Sequence, residues 1–167
     1  MNIGDKAPEV LGIDENGKEI LLSHYQGKKL VLYFYPKDNT SGCTAEACSL
    51  RDNYAALRKQ GYEVIGVSVD SEASHRKFID KYELPFPLIA DTDKKLVEAM
   101  GVWGEKSMYG RKYMGTFRTT FLIDEEGIMW GRGSGDCKMT LMAEMEAVEA
   151  LLAEGYTPDY DIYMAFG

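Results

Sequence analysis

The stretch Leu30-Val31-Leu32-Tyr33-Phe34-Tyr35-Pro36-Lys37-Asp38-Asn39-Thr40-Ser41-Gly42-Cys43-Thr44-Ala45-Glu46-Ala47-Cys48 organises the reading of this 167-residue chain. Its first six residues are an apolar run of the kind that forms a buried strand. The residues from Ala45 to Gln60 are rich in Ala, Leu, Arg, Glu and Lys and predict a helix. Thr40 or Ser41 suits its N-cap, and Gly61 its C-terminal stop. Cys43 is thereby placed in the first turn of a helix. Unsatisfied backbone N–H groups and the helix dipole favour negative charge there. A thiolate is such a charge, so the position suits a nucleophilic cysteine. A free cysteine more often serves as small apolar packing, but the helix start and the polar residues before it favour the reactive role.

Length and composition bound the rest. The chain is expected to form one domain, residues 1–167, with a full core. The formal net charge of −8 argues against nucleic acid or an anionic membrane as partner. The N-terminus lacks the apolar segment of a signal peptide, and no apolar run approaches the roughly 20 residues of a membrane-spanning helix. A cytoplasmic location is expected. Three cysteines are an odd count for a structural disulfide framework there, which favours a redox or nucleophilic role.

Outward from the central stretch, strands and helices alternate. Val10–Ile13 and Glu19–Leu22 flank Asp14-Glu15-Asn16-Gly17, whose Asn-Gly predicts a hairpin. Ser23-His24-Tyr25 is a short turn or helical piece. Tyr62–Val69 predicts a strand, and Ser71 or Ser74 caps a helix running to Tyr82. Leu84–Ile89 is extended, and Asp91-Thr92-Asp93 starts a helix reaching Met100. Gly101–Phe117 reads as a long aromatic loop. Thr119–Ile123 and Ile128–Trp130 form a hairpin about Asp124–Gly127. Thr140–Ala153 predicts a final helix with one apolar face, and the aromatic tail 155–167 is expected to dock on the body. The pattern is that of an α/β fold with its sheet covered on both faces.

Other sites are weaker. Gly131-Arg132-Gly133-Ser134-Gly135-Asp136 lacks the small residue and the early βαβ setting of a dinucleotide loop, and reads as an ordinary loop. The five-residue step from Cys43 to Cys48 is outside the usual gap between zinc ligands. His24 and His75 share no ligand spacing, and His75 reads as a surface histidine rather than a base for a triad.

The segment Tyr33–Cys48 resembles the active-site segment of the peroxiredoxins, matching their Pro-x-x-x-Thr-x-x-Cys motif at Pro36, Thr40 and Cys43. A second cysteine five residues on, Cys48, resembles the bacterioferritin-comigratory-protein, or PrxQ, branch. Similarity continues through Asp70-Ser71, Ser74–Phe78, Leu84–Pro87, Gly101–Lys106 and Thr120–Asp124, so it runs from Gly4 to about Trp130. The resemblance implies a thioredoxin-like fold, a central mixed sheet flanked by helices with an N-terminal β-hairpin. It implies a thiol peroxidase that reduces hydrogen peroxide and organic hydroperoxides and is recycled by thioredoxin or a similar dithiol. It makes Cys43 the peroxidatic cysteine and Cys48 the resolving one, with Thr40 and Arg118 completing the site and Pro36 shielding it. Ser41 stands where many relatives have proline. Cys137 matches no family motif.

The chemistry suits these residues. A thiolate attacking a peroxide oxygen needs positive potential, and an arginine supplies a permanent charge with donors in a fixed fork. Thr40 offers one hydrogen bond to peroxide or sulfur. The product is a sulfenic acid that a second thiol captures as a disulfide, and an external dithiol reduces it by exchange. No metal or organic cofactor is needed. A monomer is expected, with a weak homodimer as the alternative state. The competing readings are a thioredoxin-like disulfide oxidoreductase without peroxidase activity and a non-catalytic redox sensor. Against the first, the cysteines are not Cys-x-x-Cys.

Overall fold

The structure is a computed structural model that describes residues 2–108 and 110–134. The expected helix over Thr140–Ala153, the tail 155–167 and Cys137 lie outside the described residues. In chain order the elements are β1 (Val10–Ile13), β2 (Glu19–Leu21), a 3-10 turn (Leu22–Tyr25), β3 (Lys29–Phe34), α1 (Ser41–Lys59), β4 (Tyr62–Ser68), α2 (Glu72–Tyr82), β5 (Leu88–Ala90), α3 (Lys95–Ala99), β6 (Trp103–Met108), β7 (Arg111–Thr116), β8 (Thr119–Ile123) and β9 (Met129–Ser134).

The apolar run predicted as the central strand is β3, and it lies in the middle of a five-stranded sheet of order β5-β4-β3-β8-β9. β3, β4 and β5 are parallel, joined through α1 and α2, while β8 and β9 run antiparallel to their neighbours. Both faces of the sheet are covered, which is why β3 is apolar at successive rather than alternate positions. Leu30, Leu32 and Phe34 face a core shared with the β1–β2 hairpin and α3. Val31, Tyr33 and the following Tyr35 face the other core, shared with Ala47, Leu50 and Leu57 of α1 and Phe78 of α2. This is the mixed sheet with flanking helices and N-terminal hairpin that the sequence predicts.

Helix α1 starts at Ser41 with Thr40 at its N-cap, one of the two caps expected, so Cys43 lies inside its first turn as expected. Two other stretches differ in kind from expectation. Residues Gly101–Phe117 are not a loop: β6 and β7 pair antiparallel from Trp103↔Thr116 to Met108↔Arg111. Their sequence is rich in Gly, Lys, Arg and Glu and poor in β-branched residues, so no apolar alternation announces them. A cross-strand Lys112–Glu105 ion pair at 2.9 Å and a Phe117 N–H bond to Val102 O at 2.7 Å tie the hairpin. Gly131–Ser134, expected as loop, extends β9 along β8, with Gly133 opposite Thr120. The side-chain-poor run pairs through its backbone.

The hairpin and β8 together fix Arg118. Thr116 is buried, Phe117 is bonded to Val102, and the Thr119 hydroxyl donates to Phe117 O at 3.1 Å. Arg118 therefore stands between two anchored residues.

Candidate active site

Chain leaving β3 turns at the sheet edge and enters α1. Tyr35 still belongs to the sheet, its N–H bonded to Val67 O at 3.1 Å. Pro36 follows, half-buried, with its fixed φ steering the chain out of the strand. Asn39 takes a left-handed φ of 57°, and Thr40 sits at the N-cap in extended conformation. The first helical bond runs from Thr44 N–H to Thr40 O at 2.9 Å. Cys43 is thus the third helical residue, and its side chain is 1% exposed against the core of Tyr33 and Tyr35. The last turn carries Arg58 and Lys59, complementing the dipole at the other end.

Arg118 reaches this helix start from β8. One guanidinium nitrogen, Nη2, donates to Cys43 Sγ at 3.3 Å, and Nη1 donates to Glu46 Oε2 at 2.5 Å. Glu46 lies three residues beyond Cys43, on the same helix face, so one fork spans both. Burial works against the Arg118 cation, but the charges of Cys43 and Glu46 outweigh it and hold its proton more tightly than usual. A Cβ on Gly42 would come within 3.3 Å of Nη2. The absence of a side chain there lets the guanidinium lie over the first turn.

Thr40 and Cys48 are placed differently. The exposed Thr40 hydroxyl donates to Lys37 O at 3.1 Å rather than capping the helix. Cys48 is half-buried on the same helix, and five residues turn it about 140° from Cys43 around the axis. Both thiols are free. The structure therefore joins Cys43 and Arg118, keeps Thr40 and Pro36 in the adjoining loop, and separates Cys48.

A second polar cluster lies behind the loop, and sequence reasoning misses it. The sequence places His75 on the surface; the structure buries it completely. Its Nδ1 is 2.9 Å from Asp38 Oδ2, and its Nε2 is 3.1 Å from Ile89 O. Asp38, also buried, accepts from Tyr35 Oη at 2.7 Å and from Ser74 Oγ at 2.7 Å. Burial disfavours its charge, yet the bonds from His75, Ser74 and Tyr35 prevail and hold its carboxyl below the usual range. Ser74-His75 near the start of α2 gives no periodic signal of an inward histidine. Glu46 is missed for a similar reason: a glutamate in a helix is ordinarily a solvated one.

Comparison with known proteins follows the same residues. The model of the AhpC/TSA family matches residues 3–130, more than half of the chain. The chain belongs to the peroxiredoxins. Among curated peroxiredoxins it is 49% identical to peroxiredoxin Bcp of Bacillus subtilis over 127 residues, covering 76% of this chain and 81% of that one. It is 43% identical to peroxiredoxin Bcp of Escherichia coli over the same length and shares. Among solved structures, the Xanthomonas campestris bacterioferritin comigratory protein superposes with a TM-score of 0.76 at 33% identity, over 87% of this chain and 98% of that one. A Xylella fastidiosa PrxQ mutant gives 0.78 at 32%, over 89% and 98%. The likenesses place this peroxiredoxin in the Bcp/PrxQ branch, with the thioredoxin-like fold, as a thiol peroxidase. A second model, of peptidase family M20/M25/M40, matches residues 102–167, less than half of the chain. Its described part, 102–134, comprises β6 to β9. Among the described residues no helix is long and apolar enough to cross a membrane, and no group of three or more His, Cys, Asp or Glu could hold a metal ion.

Proposed function

We propose that Cys43 is the thiolate that attacks peroxide, with Arg118 as the cation that steadies it and receives the developing charge. The observation that carries this is the 3.3 Å contact from Arg118 Nη2 to Cys43 Sγ at a helix start. Attack forms an S–O bond and breaks the O–O bond, and the leaving oxygen departs with a proton as water or alcohol. Arg118 Nη2, against a thiol only 1% exposed, is placed to donate to an oxygen arriving there, and such bonds count most where water is largely excluded. Thr40 Oγ1, which donates to Lys37 O, keeps lone pairs able to accept a hydrogen bond from peroxide, and Pro36 covers the loop side.

Hydrogen peroxide and organic hydroperoxides are the substrates in this reading. The structures of the Xanthomonas relative concern alkyl peroxide reduction activity, which supports the second class. Cys48 then attacks the Cys43 sulfenic acid, releasing water and forming a Cys43–Cys48 disulfide. Thioredoxin or a similar dithiol restores both thiols by exchange.

Peroxide consumption with thioredoxin and its reductase, across several hydroperoxides, tests the reading. Wild-type turnover that disappears in Cys43→Ser supports it. Near-normal turnover in Cys43→Ser overturns it.

A further inference from the structure

The loop that delivers Cys43 to the helix start is held from behind by a buried charge cluster that the peroxide chemistry does not touch. The residue at its centre is Asp38. Its N–H donates to Asp70 Oδ2 at 2.8 Å, and Asp70 in turn accepts from the Ser68 hydroxyl at 2.9 Å, at the end of β4. Its carboxylate takes three donors: Tyr35 Oη from the end of β3, and Ser74 Oγ and His75 Nδ1 from α2. Four hydrogen-bonding groups from the ends of β3 and β4 and from α2 thus converge on one loop residue, five positions before Cys43.

His75 is suited to this place by hydrogen-bond accounting. Its two ring nitrogens face a backbone carbonyl and a carboxylate oxygen. Both are acceptors, and a ring that donates to both would face Asp38 as a cation. Both side chains are buried and hydrogen-bonded to each other, the condition under which buried polar groups persist. On the far side of Asp38, Asn39 is left-handed and α1 begins two residues later. Two short links then separate a fixed point from the attacking sulfur.

We propose that the Asp38–His75 pair is a positioning device for the peroxide step. It fixes where α1 begins and so holds Cys43 Sγ at the distance from which Arg118 reaches it. The proposal rests on the assignment of Cys43 as the attacking thiol. The pair touches neither peroxide nor sulfur, and acts through the loop 38–42. Small displacements suffice for a large effect: about 1 Å of misplacement costs on the order of 100-fold in rate. The same anchor gives the loop a fixed end when the first turns of α1 open for disulfide formation, so that Cys43 returns to Arg118 after reduction.

The test is a set of single-turnover measurements on the full chain in its reduced form. Asp38→Asn and His75→Gln are compared with wild type for the rate at which hydrogen peroxide oxidises Cys43, well below each variant's unfolding temperature. Both are expected to slow this step by about 10- to 100-fold. Asp38→Asn is also combined with Arg118→Met. If Asp38 acts by placing Cys43 against Arg118, its penalty shrinks severalfold once Arg118 is gone. A role confined to stability would lower the unfolding temperature and leave both the peroxide rate and this coupling unmoved, which overturns the proposal. Undiminished penalty in the Arg118→Met background overturns it too. Should Asp38→Asn fail to fold, Tyr35→Phe and Ser74→Ala remove one bond each to the same carboxylate and carry the same comparison. Cys43→Ser is run alongside. If that variant is inactive while Asp38→Asn and His75→Gln react at the wild-type rate, only the positioning proposal fails. If Cys43→Ser itself turns over, the assignment of the site fails.

Discussion

Arg118 and Glu46 form an ion pair at 2.5 Å, and the same guanidinium donates to Cys43 Sγ at 3.3 Å. Glu46 thereby orients the group that meets the thiol. Glu46 is only 6% exposed, and Arg118 20%, so neither side chain is free to sample solvent.

Arg118→Met should slow oxidation of Cys43 by peroxide by about 10²- to 10³-fold, the range for removing one aimed donor from a closed site. Reduction of the disulfide should change far less, because a Cys43–Cys48 bond requires the helix start to open and so to leave Arg118. Stopped-flow rates for the two half-reactions check this. Equal slowing of both, or of neither, would count against Arg118 as the peroxide-site cation.

Glu46→Gln keeps the shape of the side chain but removes its charge. The guanidinium exchanges a charged anchor for a weaker neutral one, so the peroxide step should slow by about tenfold through misplacement. Unfolding in urea should show a loss of roughly 1 kcal/mol from an incompletely paired, half-buried arginine. A wild-type rate with Arg118 intact would show that Glu46 serves stability alone.

Gly42→Ala separates helix stability from site geometry. Alanine in place of glycine favours the helix by up to about 1 kcal/mol, yet its Cβ would press on Arg118 Nη2 from 3.3 Å. The expected outcome is a more stable or equally stable protein with a slower peroxide step. A faster peroxide step would contradict the arrangement of Gly42 beneath the guanidinium.

Acid should weaken the fold through Asp38. Its carboxyl is held below its ordinary value in the folded state, so the stabilisation is fully present above the unfolded value of about 3.9. It is lost as pH falls through the lower folded value. The difference in unfolding free energy between wild type and Asp38→Asn should therefore shrink from pH 5 toward pH 2. A constant difference over that window would mean that Asp38 contributes no charge-dependent stability.

Much of this was open to reading in the sequence, for reasons that differ by element. β3 and α1 announce themselves because an unbroken apolar run and a strong helix-forming run need no partner to be recognised. Asp91-Thr92-Asp93 was expected to start a helix reaching Met100. α3 is shorter, Lys95–Ala99 with Lys94 at its N-cap, yet the Asp91 carboxylate accepts from Leu96 N–H at 3.1 Å and Val97 N–H at 2.8 Å at its start. β6 and β7 are hidden because the side chains of β7 are mostly exposed and show no apolar alternation. Arg118 on its own composition would pass for a surface residue at a strand end, and the resemblance to peroxiredoxins singled it out. His75 escaped because burial of a histidine depends on a carboxylate 37 positions away, a long-range coincidence that no local spacing encodes.

Cys48→Ser should leave the first oxidation of Cys43 intact and stop its capture as an intramolecular disulfide. Sulfenic acid should then accumulate and move on to sulfinic acid with excess peroxide. Cys137→Ser should cycle normally. Mass spectrometry of the cysteine peptides after each addition reads both outcomes. Recycling that survives in Cys48→Ser and stops in Cys137→Ser would transfer the resolving role to Cys137.

The most direct measurement adds one equivalent of hydrogen peroxide to the fully reduced protein, maps the disulfide by mass spectrometry, and follows amide exchange over residues 41–50. In α1 the two thiols stand five residues apart, about 7.5 Å along the axis and about 140° around it. A disulfide needs Cα atoms within about 7 Å and converging side chains. The account predicts a Cys43–Cys48 disulfide together with markedly faster exchange across residues 41–50 than in the reduced helix. A product oxidised elsewhere with Cys43 still a free thiol would contradict it, as would a Cys43–Cys48 disulfide formed with amide protection unchanged.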